Sequence, residues 1–172
     1  GMTTGRLARA WRMRADAPQI DFVDRLQGRI VQHLERDVGD FVLLRADGLF
    51  AYQLAVTVDD HFQGISHIVR GADLLDSTPR QIWLQSCLGY TTPSYAHLPV
   101  ASNAAGEKLS KQTLAQALEV GKASMLLVNA LRFLGQPAPL ELQRASLAEV
   151  WSWARAHWDS AAIPPVRTIR LS

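Results

Sequence analysis

Cysteine is almost missing from these 172 residues, with Cys87 alone. A disulfide within the chain is excluded, and so is a zinc site built on clustered thiolates. A lone cysteine suits a reducing compartment, so the cytoplasm is the expected location. Long hydrophobic runs are missing too. None approaches the roughly 20 apolar residues that cross a bilayer, and no membrane partner is expected. The opening GMTTGRLARAW has no apolar centre of the kind a secretory leader carries. Neither sign of charge dominates: 18 Lys and Arg stand against 16 Asp and Glu, for a net +2. The arginines are scattered, so bulk charge does little to specify a polyanionic partner. Internal repeats and low-complexity stretches are absent.

What is present is a globular composition, 48% hydrophobic and 20% charged, on a chain long enough to bury a sizeable core. AWRMRA, residues 10–15, reads as a short strand. IDFVDRLQGRIV reads as a strand running into a turn at Gly28. Asp47-Gly48 marks a turn between Val42-Leu43-Leu44 and Leu49-Phe50. Residues 51–60 lean to helix. ISHIVRG, residues 65–71, reads as a buried strand. STPRQIWLQSCLG reads as a helix capped by Thr78, with Pro79 at its first helical position, Gln81 completing a capping box and Gly89 ending it. YAHLPV is a short strand stopped at Pro99. Alternating strands and helices imply part of a parallel α/β sheet.

After Lys111 the pattern turns helical. Val120, Leu127, Leu131 and Leu134 fall on one side of a helix. Ser146 and Glu149 form a second capping box, followed by Leu147, Val150, Trp151, Ala154 and Trp158 at helical spacing. That spacing assigns Trp151 and Trp158 to the core rather than to base stacking, and leaves Trp153 exposed. Pro164-Pro165 is expected to end the folded part. Cys87 reads as a small apolar helix residue, and Asp59-Asp60-His61 as a charged helix end rather than a metal site.

The stretch GEKLSKQ, residues 106–112, cannot build a core. Gly106, Lys108, Ser110 and Lys111 suit a phosphate chain: glycine admits close backbone approach, ammonium groups neutralise charge on a leaving group, and a hydroxyl adds a hydrogen bond. An exposed loop with two solvated lysines is the alternative reading of the loop alone.

The surrounding motifs DRLQG, GDFVLLR, AYQLAV, VRGADLLDSTPRQIWLQ, HLPV and GEKLSKQT occur in an order that resembles the C-terminal part of the catalytic domain of class I glutamyl-tRNA synthetases. The likeness is greatest to their short paralogues, the glutamyl-Q tRNA(Asp) synthetases. It implies an α/β fold: the C-terminal half of a class I synthetase Rossmann-like catalytic domain followed by a small helical segment. Residues 1–40 would be the remnant of a connecting region. Residues 41–111 would be the second half of the nucleotide-binding α/β domain, ending in the KLSKQ loop, and residues 112–172 a helical appendage.

The resemblance also implies chemistry. KLSKQ stands where the family has its KMSKS signature, so Lys111, with Lys108 and Ser110, would bind ATP, with Mg as companion ion. Tyr52 and Arg70 would bind glutamate, Asp73 would help shape the site, and the backbone near Val100 and Ala101 would edge the adenine. No HIGH-like stretch begins at His33, His61, His67, His97 or His157, and the paralogues' cysteine-rich zinc site is absent, so zinc is not expected. The expected function is part of an ATP-dependent ligase that activates glutamate and glutamylates queuosine in tRNA(Asp), inactive alone for want of the HIGH-bearing half. A piece of a glutamyl-tRNA synthetase, or a non-catalytic module binding tRNA or protein, are the alternatives. Missing strands would leave a sheet edge open to self-association.

Overall fold

A computed structural model describes residues 10–16, 19–109 and 118–171. Strands β1 (Trp11–Met13), β2 (Gln19–Asp24) and β3 (Gly28–His33) are followed by a one-turn helix, α1 (Leu34–Asp37), and strand β4 (Phe41–Leu44). Helix α2 (Tyr52–Phe62), strand β5 (His67–Gly71), helix α3 (Thr78–Leu88) and strands β6 (Ser94–Leu98) and β7 (Val100–Ser102) come next. Helices α4 (Ala123–Phe133) and α5 (Leu147–His157) and strand β8 (Thr168–Arg170) complete the order. The described strands form four two-stranded sheets: β1 with β4 and β2 with β3 antiparallel, β5 with β6, and β7 with β8 parallel. The pairing of β5 with β6 across α3 matches the strand–helix–strand order read from the sequence. No described helix is long and apolar enough to cross a membrane.

The chain divides into two compact units, residues 1–69 with 74–96, and residues 70–73 with 97–172. In the first, Ala15, Ile20 and Leu34 form a buried cluster against Phe22, Val38, Ile82 and Trp83. The DRLQG motif accounts for its β2–β3 hairpin. Asp24 is buried, and its Oδ1 accepts from the backbone N–H groups of Leu26 and Gln27 at 3.0 and 2.9 Å. Gly28 then takes the positive φ that closes the turn. Buried Tyr95 on β6 packs edge-to-face on Phe22 and its hydroxyl accepts from Gln85 on α3. The turn at Asp47-Gly48 forms as read, with Leu44 bridging to Phe50.

Helix α3 departs from its predicted cap. The six residues before it, Ala72–Ser77, already form a 3-10 helix, so Ser77 is the N-cap and makes no side-chain cap bond. Thr78 instead donates to the carbonyl of Leu74 at 3.4 Å. Gln81 donates to the side chain of Gln53 on α2 at 2.9 Å, which couples the two helices. Strand β5 is not buried as expected, since Val69 is 64% exposed. Cys87 is exposed on α3.

In the second unit, Val128 and Leu131 of α4 meet Val150 and Ala154 of α5 and Ala138 between them, with Trp153 packed alongside. The Ser146–Glu149 capping box is present in both directions. Val120 is 91% exposed, because the chain there is a short 3-10 turn and α4 begins only at Ala123. The two tryptophan assignments are reversed. Trp153 packs on the core and stacks on His157, with ring centroids 4.7 Å apart, whereas Trp151 and Trp158 are about half exposed. The cause is the core stripe, which runs through Val150 and Ala154 and turns Trp151 outward. Pro164-Pro165 does not end the fold either. Beyond it β8 returns to pair with β7, and Leu171 donates to Ser102 at 2.9 Å. A short strand of three residues carries too little periodicity to be read from sequence.

Two outcomes follow from this packing. Gly135 holds φ 76°, and a Cβ there would stand 2.0 Å from the carbonyl oxygen of Ala162. Gly135→Ala is therefore expected to destabilise the chain by at least about 2 kcal/mol, read by denaturant unfolding. Glu149 accepts hydrogen bonds from the hydroxyl and N–H of Ser146, which hold its carboxyl below the ordinary glutamate range. The folded state then takes up this proton less readily than the unfolded chain. The cap's contribution is complete above the ordinary glutamate range and fades as pH falls through the lowered folded value. Helical circular dichroism between about pH 6 and pH 2 should show that acid-side loss in the native chain and a smaller one in Ser146→Ala.

Candidate functional site

The site is assembled in the second unit from the end of β5, the 3-10 turn after it, β6, β7 and the hairpin that leaves β7. Arg70, half-buried on β5, donates from Nε to Nε2 of His97 on β6 at 3.0 Å. His97 is fully buried. For its Nε2 to accept, the imidazole must be neutral with its hydrogen on Nδ1. The bond runs along the guanidinium edge at Nε and so sets the direction of the terminal fork, the part that matches a carboxylate two-point.

Gly71 follows Arg70. A Cβ there would lie 2.4 Å from Oδ1 of Asp73 and 3.1 Å from Cγ1 of Val100. The missing side chain lets both groups close in on the strand end. Asp73 in turn forms an ion pair with Nζ of Lys108. Lys108 is held by the hairpin: it bridges Ser102, and Leu109 donates to the Ala101 carbonyl at 2.9 Å. The turn itself is tied by Asn103, whose Oδ1 accepts from the N–H of Glu107 and whose Nδ2 donates to the Glu107 carboxylate, both at 2.9 Å. Gly106 supplies the positive φ the turn needs.

The structure thus sets Lys108 against the segment that begins at Arg70, through Asp73. Val100 and Ala101 lie on β7, in register with Thr168 and Ile169 of β8. Tyr52 stands in the first unit, half exposed in the first turn of α2. Ser110 and Lys111 lie outside the described residues. His61 stacks on Tyr90, ring centroids 3.7 Å apart, and His67 pairs through Nδ1 with the Ser66 hydroxyl. Sequence reasoning did not anticipate His97 as the partner of Arg70, or Asn103 and Glu107 as the ties of the turn. An asparagine three residues before a turn glycine was the available signal for the second. The first pairs residues 27 positions apart and left none.

A strand end that presents an arginine, followed by a hairpin that presents a lysine, fits the catalytic domain of a class I aminoacyl-tRNA synthetase. Residues 6–157 match the family described as tRNA synthetases class I (E and Q), catalytic domain, and the chain belongs to that family. It is 68% identical over 171 residues to a glutamyl-Q tRNA(Asp) synthetase of Dechloromonas aromatica, covering 99% of this chain and 57% of that protein. A glutamyl-Q tRNA(Asp) synthetase of Thiobacillus denitrificans is 55% identical over 164 residues, covering 95% of this chain and 54% of that protein. The chain therefore spans about half the length of these curated relatives. Among solved structures, a glutamate tRNA ligase from Elizabethkingia meningosepticum in complex with its amino acid superposes with a TM-score of 0.65 at 20% identity, over 90% of this chain and 34% of that one. That likeness is one of fold.

The Arg70–His97 bond predicts a graded response. His97→Leu removes a buried acceptor and is expected to cost about 2 kcal/mol of stability. His97→Gln, which keeps an acceptor, should recover part of it, and urea unfolding of the three proteins checks the order.

Proposed function

We propose that this chain supplies the amino-acid clamp and the phosphate loop of an ATP-dependent ligase that activates glutamate and passes it to queuosine in tRNA(Asp). The observation that carries the reading is the joining of Lys108 to the Arg70–Asp73 segment within one unit. Arg70, oriented by His97, grips the carboxylate of glutamate that does not react. Tyr52 is a second glutamate-binding candidate on the family likeness alone. Lys111 and Ser110 receive the triphosphate. Lys108, already balanced by Asp73, anchors the base of the loop and is the weaker candidate for direct phosphate contact.

In the reaction the γ- or α-carboxylate oxygen presented by glutamate attacks the α-phosphorus of ATP. The bond to the bridging oxygen breaks and pyrophosphate departs with the negative charge. Protein groups position the two substrates and stabilise that charge. Mg2+ would accompany the triphosphate. The first half of the nucleotide pocket, with its HIGH signature, comes from sequence other than these 172 residues, and the chain alone is inactive. The glutamyl-Q relatives and the family match support this reading, as does the conjunction of a buried-histidine-oriented arginine with a lysine hairpin.

Glutamate-dependent exchange of pyrophosphate into ATP tests it. The chain alone should give background exchange. Joined to the N-terminal portion of the Dechloromonas aromatica relative, it should exchange. Arg70→Ala should lower kcat/KM for glutamate by about 100-fold or more, and Arg70→Lys should restore little, because a point charge does not replace a planar fork. A joined protein without exchange, or one indifferent to Arg70→Ala, overturns the assignment.

A further inference from the structure

We propose that Arg170, on strand β8, is a further residue that takes the phosphate chain of the nucleotide, beside the lysine hairpin. The inference deepens the reading of that hairpin given above and rests on it. Strand β8 lies parallel to β7, with Thr168 opposite Val100 and Arg170 opposite Ser102. The pairing continues past both ends: the N–H of Val100 donates to the Arg167 carbonyl at 3.0 Å, and that of Leu171 to the Ser102 carbonyl at 2.9 Å. On the other side of β7, Ser102 bridges antiparallel to Lys108. Strand β7 is therefore the middle of a three-stranded ladder, with the lysine hairpin on one edge and β8 on the other. Arg170, Ser102 and Lys108 are paired straight across it. Paired residues carry their side chains on the same face, and residues two apart along a strand share that face. Thr168, Arg170, Val100, Ser102 and Lys108 thus stand together.

That face is the one turned to the segment after Arg70. Cγ1 of Val100 lies 3.1 Å from where a Cβ on Gly71 would stand, and Lys108 pairs with Asp73. Ser102 is buried there, while Arg170 remains exposed. With neighbouring strands about 4.8 Å apart, the backbones at Arg170 and Lys108 stand about 10 Å from each other, a span that two long cationic side chains close around an extended anion. The local carboxylates are already engaged. Asp73 holds Lys108, and Glu107 accepts from Nδ2 of Asn103. The Arg170 side chain makes no hydrogen bond or ion pair among the described residues. Its planar fork of donors matches phosphate oxygens two-point, which an ammonium group does not. A triphosphate spreads its charge along a chain, so cations on two edges of one ladder meet different phosphates of it. Residue 170 lies beyond the two prolines at which the sequence pattern seemed to stop, and only the pairing of β8 with β7 brings it to this face.

Calorimetric titration with inorganic tripolyphosphate tests this, both on the chain and on the chain joined to the N-terminal portion of the Dechloromonas aromatica relative. Arg170→Gln should weaken binding about fivefold or more and reduce its salt dependence. Arg170→Lys keeps the charge and should retain more affinity than Arg170→Gln. Arg155→Gln removes the same charge from the exposed side of α5 and should change little. In the joined protein, Arg170→Gln should raise KM for ATP about fivefold and leave KM for glutamate unchanged. The inference is overturned if Arg170→Gln binds tripolyphosphate as the parent does, if Arg155→Gln weakens binding as much, or if neither parent protein binds it. A rise in both KM values alike marks a purely structural role and overturns it too. Lys111→Ala separates this inference from the loop assignment. Loss of binding with Lys111→Ala but not with Arg170→Gln ends the inference and leaves the loop assignment standing. Loss with Arg170→Gln but not with Lys111→Ala upholds Arg170 and removes Lys111.

Discussion

The site depends on one hydrogen bond, from Nε of Arg70 to a histidine with no exposure to solvent. An arginine at the end of a half-buried strand has four side-chain torsions to settle. Tying Nε to a fixed ring settles most of them before any ligand arrives. The terminal fork then points in one direction, and the entropic cost of ordering it is met in folding rather than in binding. His97 is able to do this because β6 pairs with β5 and because its ring is sealed from water. The strand pairing that builds the fold is also what aims this guanidinium.

The next step outward is Gly71. Its missing side chain allows Asp73 and Val100 to approach the strand end. Asp73 then holds Lys108, and through it the base of the hairpin. The ion pair is half exposed and contributes little to stability by itself. Its value is positional. A hairpin tied by Asn103 and pinned at Lys108 keeps a fixed place beside the strand it leaves.

The second unit ends in a manner that binds its parts together. Gln136, almost wholly buried, donates to the carbonyls of Leu134 and Asp159 and accepts from the N–H of Asp159. The chain after α5 is thereby fastened to the end of α4. It goes on to place β8 beside β7, the same strand from which the lysine hairpin departs. A tail of helices and one short strand thus supports the hairpin from behind, and the two tryptophans left over by its core face outward.

Local chemistry was legible in the amino-acid sequence. The Asp47-Gly48 turn, the turn at Gly28, the Ser146–Glu149 capping box and the helix end at Gly89 each depend on groups within a few residues of one another, and side-chain type at fixed spacing suffices to read them. The ordered motifs around KLSKQ also made the family visible. Tertiary structure alone decided the rest. Thr78 lost its cap to a 3-10 turn upstream, Gln81 turned to Gln53, β8 appeared beyond two prolines, and Trp151 and Trp153 exchanged faces. The Thr78 outcome came from the turn just upstream, the others from partners far along the chain, and helical spacing says which residues share a face without saying which face meets the core. His97 belongs with them: nothing near residue 97 tells that its lone pair will meet the arginine at residue 70, because that meeting exists only once the two strands lie side by side.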